Sequence, residues 1–307
     1  MTSKDRLIPV CRVCGCPNTI YLCDTDNEHS KTAILSHFRC NICGSVFVGN
    51  EIESEELCVA YSTLDSKKYY EEIVSENRKK MQIIIGHLKD LISPNDRIID
   101  IGTGNGLFVE MLHDAGFENV SAHEIQQDSV LHRVENIVQH MYCDFDYSSI
   151  LSDSFNAVIL LDVFEHVINP KYLSDMCARI LKKDGVIYFH TPVVTRADRL
   201  MHLVQKTPGL RKAGTIWQRG RTSIFHLENY TPESLTLLLE DAGFRDIIIK
   251  VKNERSWPVA RYVRTYLLEK QRLPRFITTF LAPFFYPLLA SDILNANKAI
   301  VSARKAE

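Results

Sequence analysis

Long apolar runs are missing from this 307-residue chain. The longest, Phe276 to Ala290, is shorter than the roughly 20 residues a membrane-spanning helix needs, and Pro283 and Pro287 interrupt it. The first ten residues, MTSKDRLIPV, lack the apolar core of a secretion signal, so the expected location is cytoplasmic. Charge of either sign is not in excess: 36 Lys and Arg face 38 Asp and Glu, and 45% of residues are hydrophobic. That balance excludes a disordered or fibrous chain and leaves ample apolar surface for a core. Cysteine is sparse over most of the length, but six of the nine (Cys11, Cys14, Cys16, Cys23, Cys40, Cys43) crowd the first 43 residues. Such a local cluster is not a secreted disulfide framework, and stability should not rest on disulfides.

What the cysteines do form is read from their spacing. Cys11-x2-Cys14-Gly15 and Cys40-x2-Cys43-Gly44 are two knuckles separated by 25 residues. Each CxxC turn presents two thiolates on one side, and the glycine lets backbone N–H groups turn toward the sulfurs. Cys11, Cys14, Cys40 and Cys43 therefore complete a tetrahedral zinc site with no open position, structural rather than catalytic. Cys16 and Cys23 fall outside the set. Between the knuckles TAILSHFRC and SVFVGN alternate like short strands, giving a zinc ribbon over residues 1–58.

Residues 1–60 hold 5 basic and 8 acidic side chains, residues 61–192 hold 12 and 20, and residues 193–307 hold 19 and 10. The acidic ribbon argues against a nucleic-acid partner. The basic last third points either to an anionic ligand or surface, or to docking on the acidic middle.

From residue 59 onward strands and helices alternate. A helix is predicted over 66–91, then strand 97–101, helix 105–116, strand 120–124, helix 126–134, strands 137–142 and 156–161, helix 170–182 and strand 186–190. A helix opening at Thr231-Pro232 and strands 246–251 and 298–304 complete the set. The expected fold is α/β: a Rossmann-like, seven-stranded, mostly parallel sheet, with insertions at 193–226 and 253–297.

The turn Asp100-Ile101-Gly102-Thr103-Gly104-Asn105-Gly106 joins a strand to a helix start, where backbone N–H groups can receive the polar end of a ligand. Leu107 stands where a dinucleotide fingerprint places its third glycine, which disfavours NAD and FAD. Glu124 ends the next strand, placed for the two hydroxyls of a ribose. Asp144 and Phe145 follow the third strand, with an acceptor for an adenine amino group and a surface for its ring.

Together IIDIGTGNG, Glu124, Asp144-Phe145 and LLDVFEHVINP resemble the successive motifs of class I S-adenosylmethionine-dependent methyltransferases, over roughly residues 60–304. DVFEHV, the strand ending His190-Thr191-Pro192 and HLENYTPESLTLLLEDAGF resemble the small-molecule group that includes the ubiquinone-pathway O-methyltransferases. The N-terminal ribbon resembles that of sugar methyltransferases, although no long domain follows the final strand. The resemblance implies that Asp100, Gly102, Thr103, Gly104 and Gly106 cradle the cofactor's methionine end, Glu124 its ribose and Asp144 with Phe145 its adenine, with Asp162 beside the sulfonium. An Asn/Asp-Pro-Pro-Tyr/Phe motif is missing after the fourth strand, so a hydroxyl oxygen is the expected acceptor.

Asp162, Glu165 and His166 are spaced i, i+3, i+4 and would share a helical face. The resemblance implies a magnesium-type ion there; capping and packing at the mouth of the site is the alternative. His226, between the first insertion and the helix at Thr231, is the candidate general base, ahead of His190.

Residues 195–222 carry Arg196, Arg199, Lys206, Arg211, Lys212, Arg219 and Arg221 with Trp217 among them, either a lid over an anionic sugar-like acceptor or a solvated basic face. Residues 276–290, behind a second basic stretch, either touch a membrane surface, as a lipid-linked saccharide acceptor would require, or pack under the lid or in a dimer interface. An RNA methyltransferase, and a cofactor-binding scaffold without turnover, are the competing readings.

Overall fold

The structure, a computed structural model, describes residues 8–26, 34–53, 66–126, 130, 132–143, 146–221, 226–254, 258–264 and 275–306, with backbone alone for 66–76, 132–133, 218–221, 262 and 275–281. Strands β1 (Thr19–Asp26), β2 (Ile34–Cys40) and β3 (Val46–Val48) form the N-terminal ribbon. Helix α1 (Ser66–Lys89) leads into β4 (Ile98–Ile101), α2 (Leu107–Asp114), β5 (Val120–His123), α3 (His132–Glu135), β6 (Met141–Tyr142) and β7 (Phe155–Leu161). After a single 3-10 turn, Phe164–His166, come α4 (Pro170–Ile180) and β8 (Leu181–Pro192). The first insertion folds as α5 (Arg196–Lys206) and α6 (Arg211–Arg221), and β9 (Glu228–Asn229), α7 (Pro232–Asp241) and β10 (Phe244–Lys252) follow. The second insertion holds α8 (Val259–Arg264) and α9 (Arg275–Ala290), and β11 (Lys298–Lys305) ends the chain.

Seven strands lie in the order β10-β11-β8-β7-β4-β5-β6, parallel except for antiparallel β11. This is the α/β, mostly parallel seven-stranded sheet expected from strand–helix alternation. β4 and β7 are central and read IIDI and FNAVILL, the near-continuous apolar runs of strands covered on both faces. One face buries Leu173, Met176 and Ile180 of α4 and Leu235, Leu238 and Leu239 of α7. The other buries Ile84, Ile85 and Leu88 of α1 with Phe108, Met111 and Leu112 of α2.

Element ends follow local chemistry. Gly106 enters α2 with φ 81, and a Cβ there would come within 2.5 Å of Val134 Cγ2, so only glycine fits. Asn169 accepts from Tyr172 N at 3.0 Å to start α4, with Pro170 in its first turn. Thr231 and Ser234 form a reciprocal capping box on α7. Among the described residues of the predicted helix 126–134 the helical ones begin at His132, in His132–Glu135; strand 137–142 shortens to Met141–Tyr142, and β8 begins at Leu181, inside the predicted helix 170–182.

The ribbon is continuous with the rest of the molecule. Its sheet has the order β1-β2-β3-β9, so a strand from the far side of the first insertion completes it, with Val46 opposite Asn229 and Phe47 opposite Glu228. Val13, Phe38 and Phe47 of the ribbon share one core with Phe164, Phe189 and Tyr230. The insertions form a third core, in which Ala197, Met201, Trp217, Val263, Phe285, Leu288 and Leu289 are buried.

Candidate active site and cysteine cluster

The four knuckle cysteines converge as their spacing requires. Cys11 Sγ lies 3.6 Å from Cys43 Sγ and Cys14 Sγ 3.5 Å from Cys40 Sγ, and all four sulfurs fall within 4.8 Å of one another. A tetrahedron of Zn–S bonds about 2.3 Å long has sulfur edges of about 3.8 Å, so the cage is close to the right size. Gly15 and Gly44 take the left-handed conformation after each pair. The contact with Cys43 lowers the Cys11 thiol to about 4, while burial raises Cys14 to about 11. A cation at the centre would favour the thiolate form of its cysteine ligands.

At the carboxyl ends of the parallel strands the glycine turn is shaped by positive φ at Gly102 (70), Gly104 (58) and Gly106 (81). A Cβ at Gly102 would meet Val163 Cγ2 at 2.7 Å. Gly102 N and Thr103 N both donate to His123 O, at 2.9 and 3.0 Å. Glu124 reaches the turn: Gly104 N donates to its Oε2 at 2.8 Å and Gln126 N to its Oε1 at 2.9 Å. The Thr103 side chain is buried in the turn and interacts with the Asp100 carboxyl. Asp100 is buried at the base of the turn, and burial raises its carboxyl to about 7. The expected adenine residues, Asp144 and Phe145, lie outside the described residues.

Beyond β7, Asp162 turns the chain with φ 61, its N–H donating to His190 O at 3.1 Å. Its carboxylate pairs with Lys298 of β11. Burial would push that acid up, but the Lys298 charge outweighs it and the net shift is down. Lys298 in turn is held well above the ordinary lysine range, the facing carboxylates of Asp162 and Glu165 overcoming burial. Glu165 is buried; Thr191 Oγ1 donates to its Oε2 at 3.0 Å, and burial, then the charge of Asp162, raises it to about 8. His166 Nε2 lies 3.9 Å from Glu165 Oε1, and the His166 and His226 rings meet edge to face at 5.0 Å.

The structure thus gathers three of the four expected catalytic residues, with one exchange. The set whose ligand atoms lie within 4.8 Å is Glu165, His166 and His226, not Asp162, Glu165 and His166. The physical reason is that Lys298 holds the Asp162 carboxylate. Magnesium does not fit what remains, because it demands near-octahedral oxygen ligands and the cluster offers one carboxylate with two imidazoles. His190, the lesser base candidate, is buried inside β8 with Nε2 3.1 Å from Tyr188 OH, and burial lowers it to about 4. Trp217 is also corrected: it offers no face to a sugar, since it is fully buried, donates to Asp198 Oδ1 at 2.6 Å and stacks on Phe285 at 5.7 Å. Lys298 gave no signal in the sequence, because its partner Asp162 comes from a distant segment.

A methyltransferase-domain family model matches residues 68–248, more than half of the chain. The chain belongs to this family. Among curated relatives, the ubiquinone biosynthesis O-methyltransferase of Dinoroseobacter shibae is 26% identical over 178 residues, 54% of this chain and 68% of that one. The enzyme of the same description from Neisseria meningitidis serogroup A is 27% identical over 140 residues, 42% and 56% of the two chains. The match thus spans about half the length of that relative. Of solved structures, a Bacillus halodurans putative methyltransferase superposes with TM-score 0.51 at 16% identity, covering 75% of this chain and 98% of the other. A complex of the Haloferax volcanii Trm112 methyltransferase activator and a putative methyltransferase gives 0.52 at 13% identity, covering 84% and 100%. At these identities the structures speak for the fold alone.

Proposed function

We propose that this chain transfers a methyl group from S-adenosylmethionine to a hydroxyl oxygen of a small molecule, with a structural zinc in the Cys11, Cys14, Cys40, Cys43 cage. The observation that carries the reading is the polar cluster of Glu165, His166 and His226 beside Asp162, next to a glycine turn reached by Glu124. The cofactor, when bound, supplies an electrophilic methyl on a sulfonium. The glycine turn, Asp100 and Thr103 would hold its amino-acid end and Glu124 its ribose. Glu124 now accepts two backbone N–H bonds, so its second lone pairs would serve the ribose hydroxyls.

Methyl transfer is an in-line displacement, and the protein's part is alignment and removal of one proton from the acceptor. His226 is the base in this reading, its ring braced by His166 and the pair backed by buried Glu165. An imidazolium formed on proton uptake would lie with its ring nitrogen within 4.8 Å of a Glu165 carboxyl oxygen. Lys298 keeps Asp162 anionic at the edge of the site, a negative charge suited to the sulfonium. Arg196, Arg199, Lys206, Arg211 and Lys212 are exposed on the helical insertion, and this concentration of positive charge favours an anionic sugar or lipid-linked saccharide as the acceptor class.

Incubation with methyl-labelled cofactor and a cell extract, followed by fractionation, tests this. Label is expected in the small-molecule or lipid fraction. Label confined to RNA or protein would reject the acceptor class, and no transfer to any fraction, with S-adenosylhomocysteine still bound in calorimetry, would favour a scaffold.

A further inference from the structure

The ribbon and the catalytic cluster lie far apart in sequence, yet the structure joins them by one short strand. We infer that the four-cysteine ribbon is a positioning element of the catalytic cluster, its metal loading fixing β9 and, through β9, the seats of Glu165 and His226. The inference rests on the reading of Glu165, His166 and His226 as the reacting cluster.

Among the described residues, the only ladder of two-residue β9 is with β3 of the ribbon. A strand that short has no standing of its own. β3 leaves the second knuckle directly: Cys40 N donates to Ser45 O at 2.9 Å, and Val46–Val48 follow. Val48 N donates to Leu227 O at 2.9 Å, and Leu227 N donates to Glu165 O at 2.8 Å. One residue, Leu227, is therefore bonded to the ribbon through its carbonyl and to the catalytic glutamate through its N–H, and it is the neighbour of His226. Its side chain is buried with Leu35, Val48 and Ile52 of the ribbon.

Three further bonds fix the same stretch, one of them from beyond β8, where Val194 N donates to Tyr230 O at 2.7 Å. Thr231 Oγ1 donates to Cys43 O at 2.6 Å, and a Cβ at Gly44 would stand 3.3 Å from Thr231 Cγ2, so the knuckle abuts the start of α7. Tyr230 OH donates to Phe164 O at 2.8 Å, on the 3-10 turn that carries Glu165 and His166. The ribbon therefore grips the 227–231 segment by backbone and side chain, and that segment grips the turn. Two CxxC knuckles close on each other only around a cation, since the folding energy of such a site is largely its metal-binding energy. Without metal, β3 loses its anchor and β9 its partner. The glycine turn leaves β4, whose ladders are to β5 and β7 rather than to the ribbon sheet, so cofactor binding is expected to stay.

The test uses the full chain and the ring 1H–13C resonances of its histidines at one fixed pH, assigned with His166→Gln and His226→Gln. Zinc is removed with a chelator and counted colorimetrically, and S-adenosylhomocysteine affinity is measured alongside. Removal should displace or broaden the His166 and His226 signals, leave those of exposed His113 and His140 in place, and change the affinity by less than about threefold. Val48→Pro, which deletes the N–H bonded to Leu227 O, should do the same with zinc retained. Unmoved His166 and His226 signals in either preparation would overturn the coupling. Loss of S-adenosylhomocysteine binding in both would overturn it as well, because the ribbon would then support the whole fold rather than this cluster. Displaced rings with undiminished turnover would keep the coupling and reject the catalytic reading of the cluster.

Discussion

At the scale of single residues the site depends on a few charges whose partners decide their state. Asp162 is held anionic by Lys298, and the lysine side chain is only 14% exposed against 52% for the aspartate. Lys298→Met removes the cation but leaves the carboxylate partly in water, so the penalty should be about 1–2 kcal/mol rather than that of a fully buried broken pair. Denaturant titration of Lys298→Met, Asp162→Asn and the double variant measures it. The double variant should be less destabilised than the sum of the singles, and strict additivity would show that the two groups do not interact. His226→Gln keeps the size of the side chain and a hydrogen-bonding end but cannot take up a proton. Turnover should fall on the order of 100-fold with unchanged S-adenosylhomocysteine affinity. A loss under threefold would move the base elsewhere in the cluster.

At the scale of elements, glycines and aromatic contacts set the tolerances. Gly106 combines φ 81 with a space that Val134 Cγ2 would close to 2.5 Å, so Gly106→Ala should cost about 2–3 kcal/mol in strain and overpacking. It should weaken S-adenosylhomocysteine as well, because the same residue starts α2. Calorimetry and thermal melts check both, and a fully native variant would mean that α2 can shift freely. Much of this level was legible beforehand. The apolar runs of β4, β7 and β8 and the Thr231-Pro232 start of α7 are local signals, and the two knuckles announce the cysteine cage. The helical insertions were not read as helices, because their apolar residues pack on each other, Trp217 on Phe285, rather than on the sheet. Two-residue β9 has no pattern to read; it is a strand only because β3 lies beside it. Lys298 and Asp162 are 136 positions apart, and no spacing rule connects residues brought together by the closing strand of a sheet.

Taken as one body, the molecule buries titratable groups of opposite consequence. His37 and His190 are both lowered to about 4 by burial. Their unfolded forms take up protons near 6.5, so the stability they permit is complete above that pH and is lost as pH falls toward 4. Asp100 works in the other direction. Raised to about 7, it stays protonated in the fold while the unfolded chain ionises near 3.8, so the folded state binds more protons and stability falls as pH rises between those values. Glu165, raised to about 8, acts in the same direction as Asp100, so the two tendencies oppose each other between about pH 4 and 7 in the parent protein. Asp100→Asn removes only the part due to Asp100. Relative to the parent, its stability should climb steadily from about pH 4 to about pH 7 and then level off. The ceiling on that gain is about 4 kcal/mol, from a shift of roughly three pH units at 1.36 kcal/mol each. Urea titrations of both proteins at pH 4.5, 6, 7 and 8 measure the difference directly. A gap that stays constant over the four values would mean that Asp100 ionises in the fold much as it does unfolded, and that the base of the glycine turn is open to water.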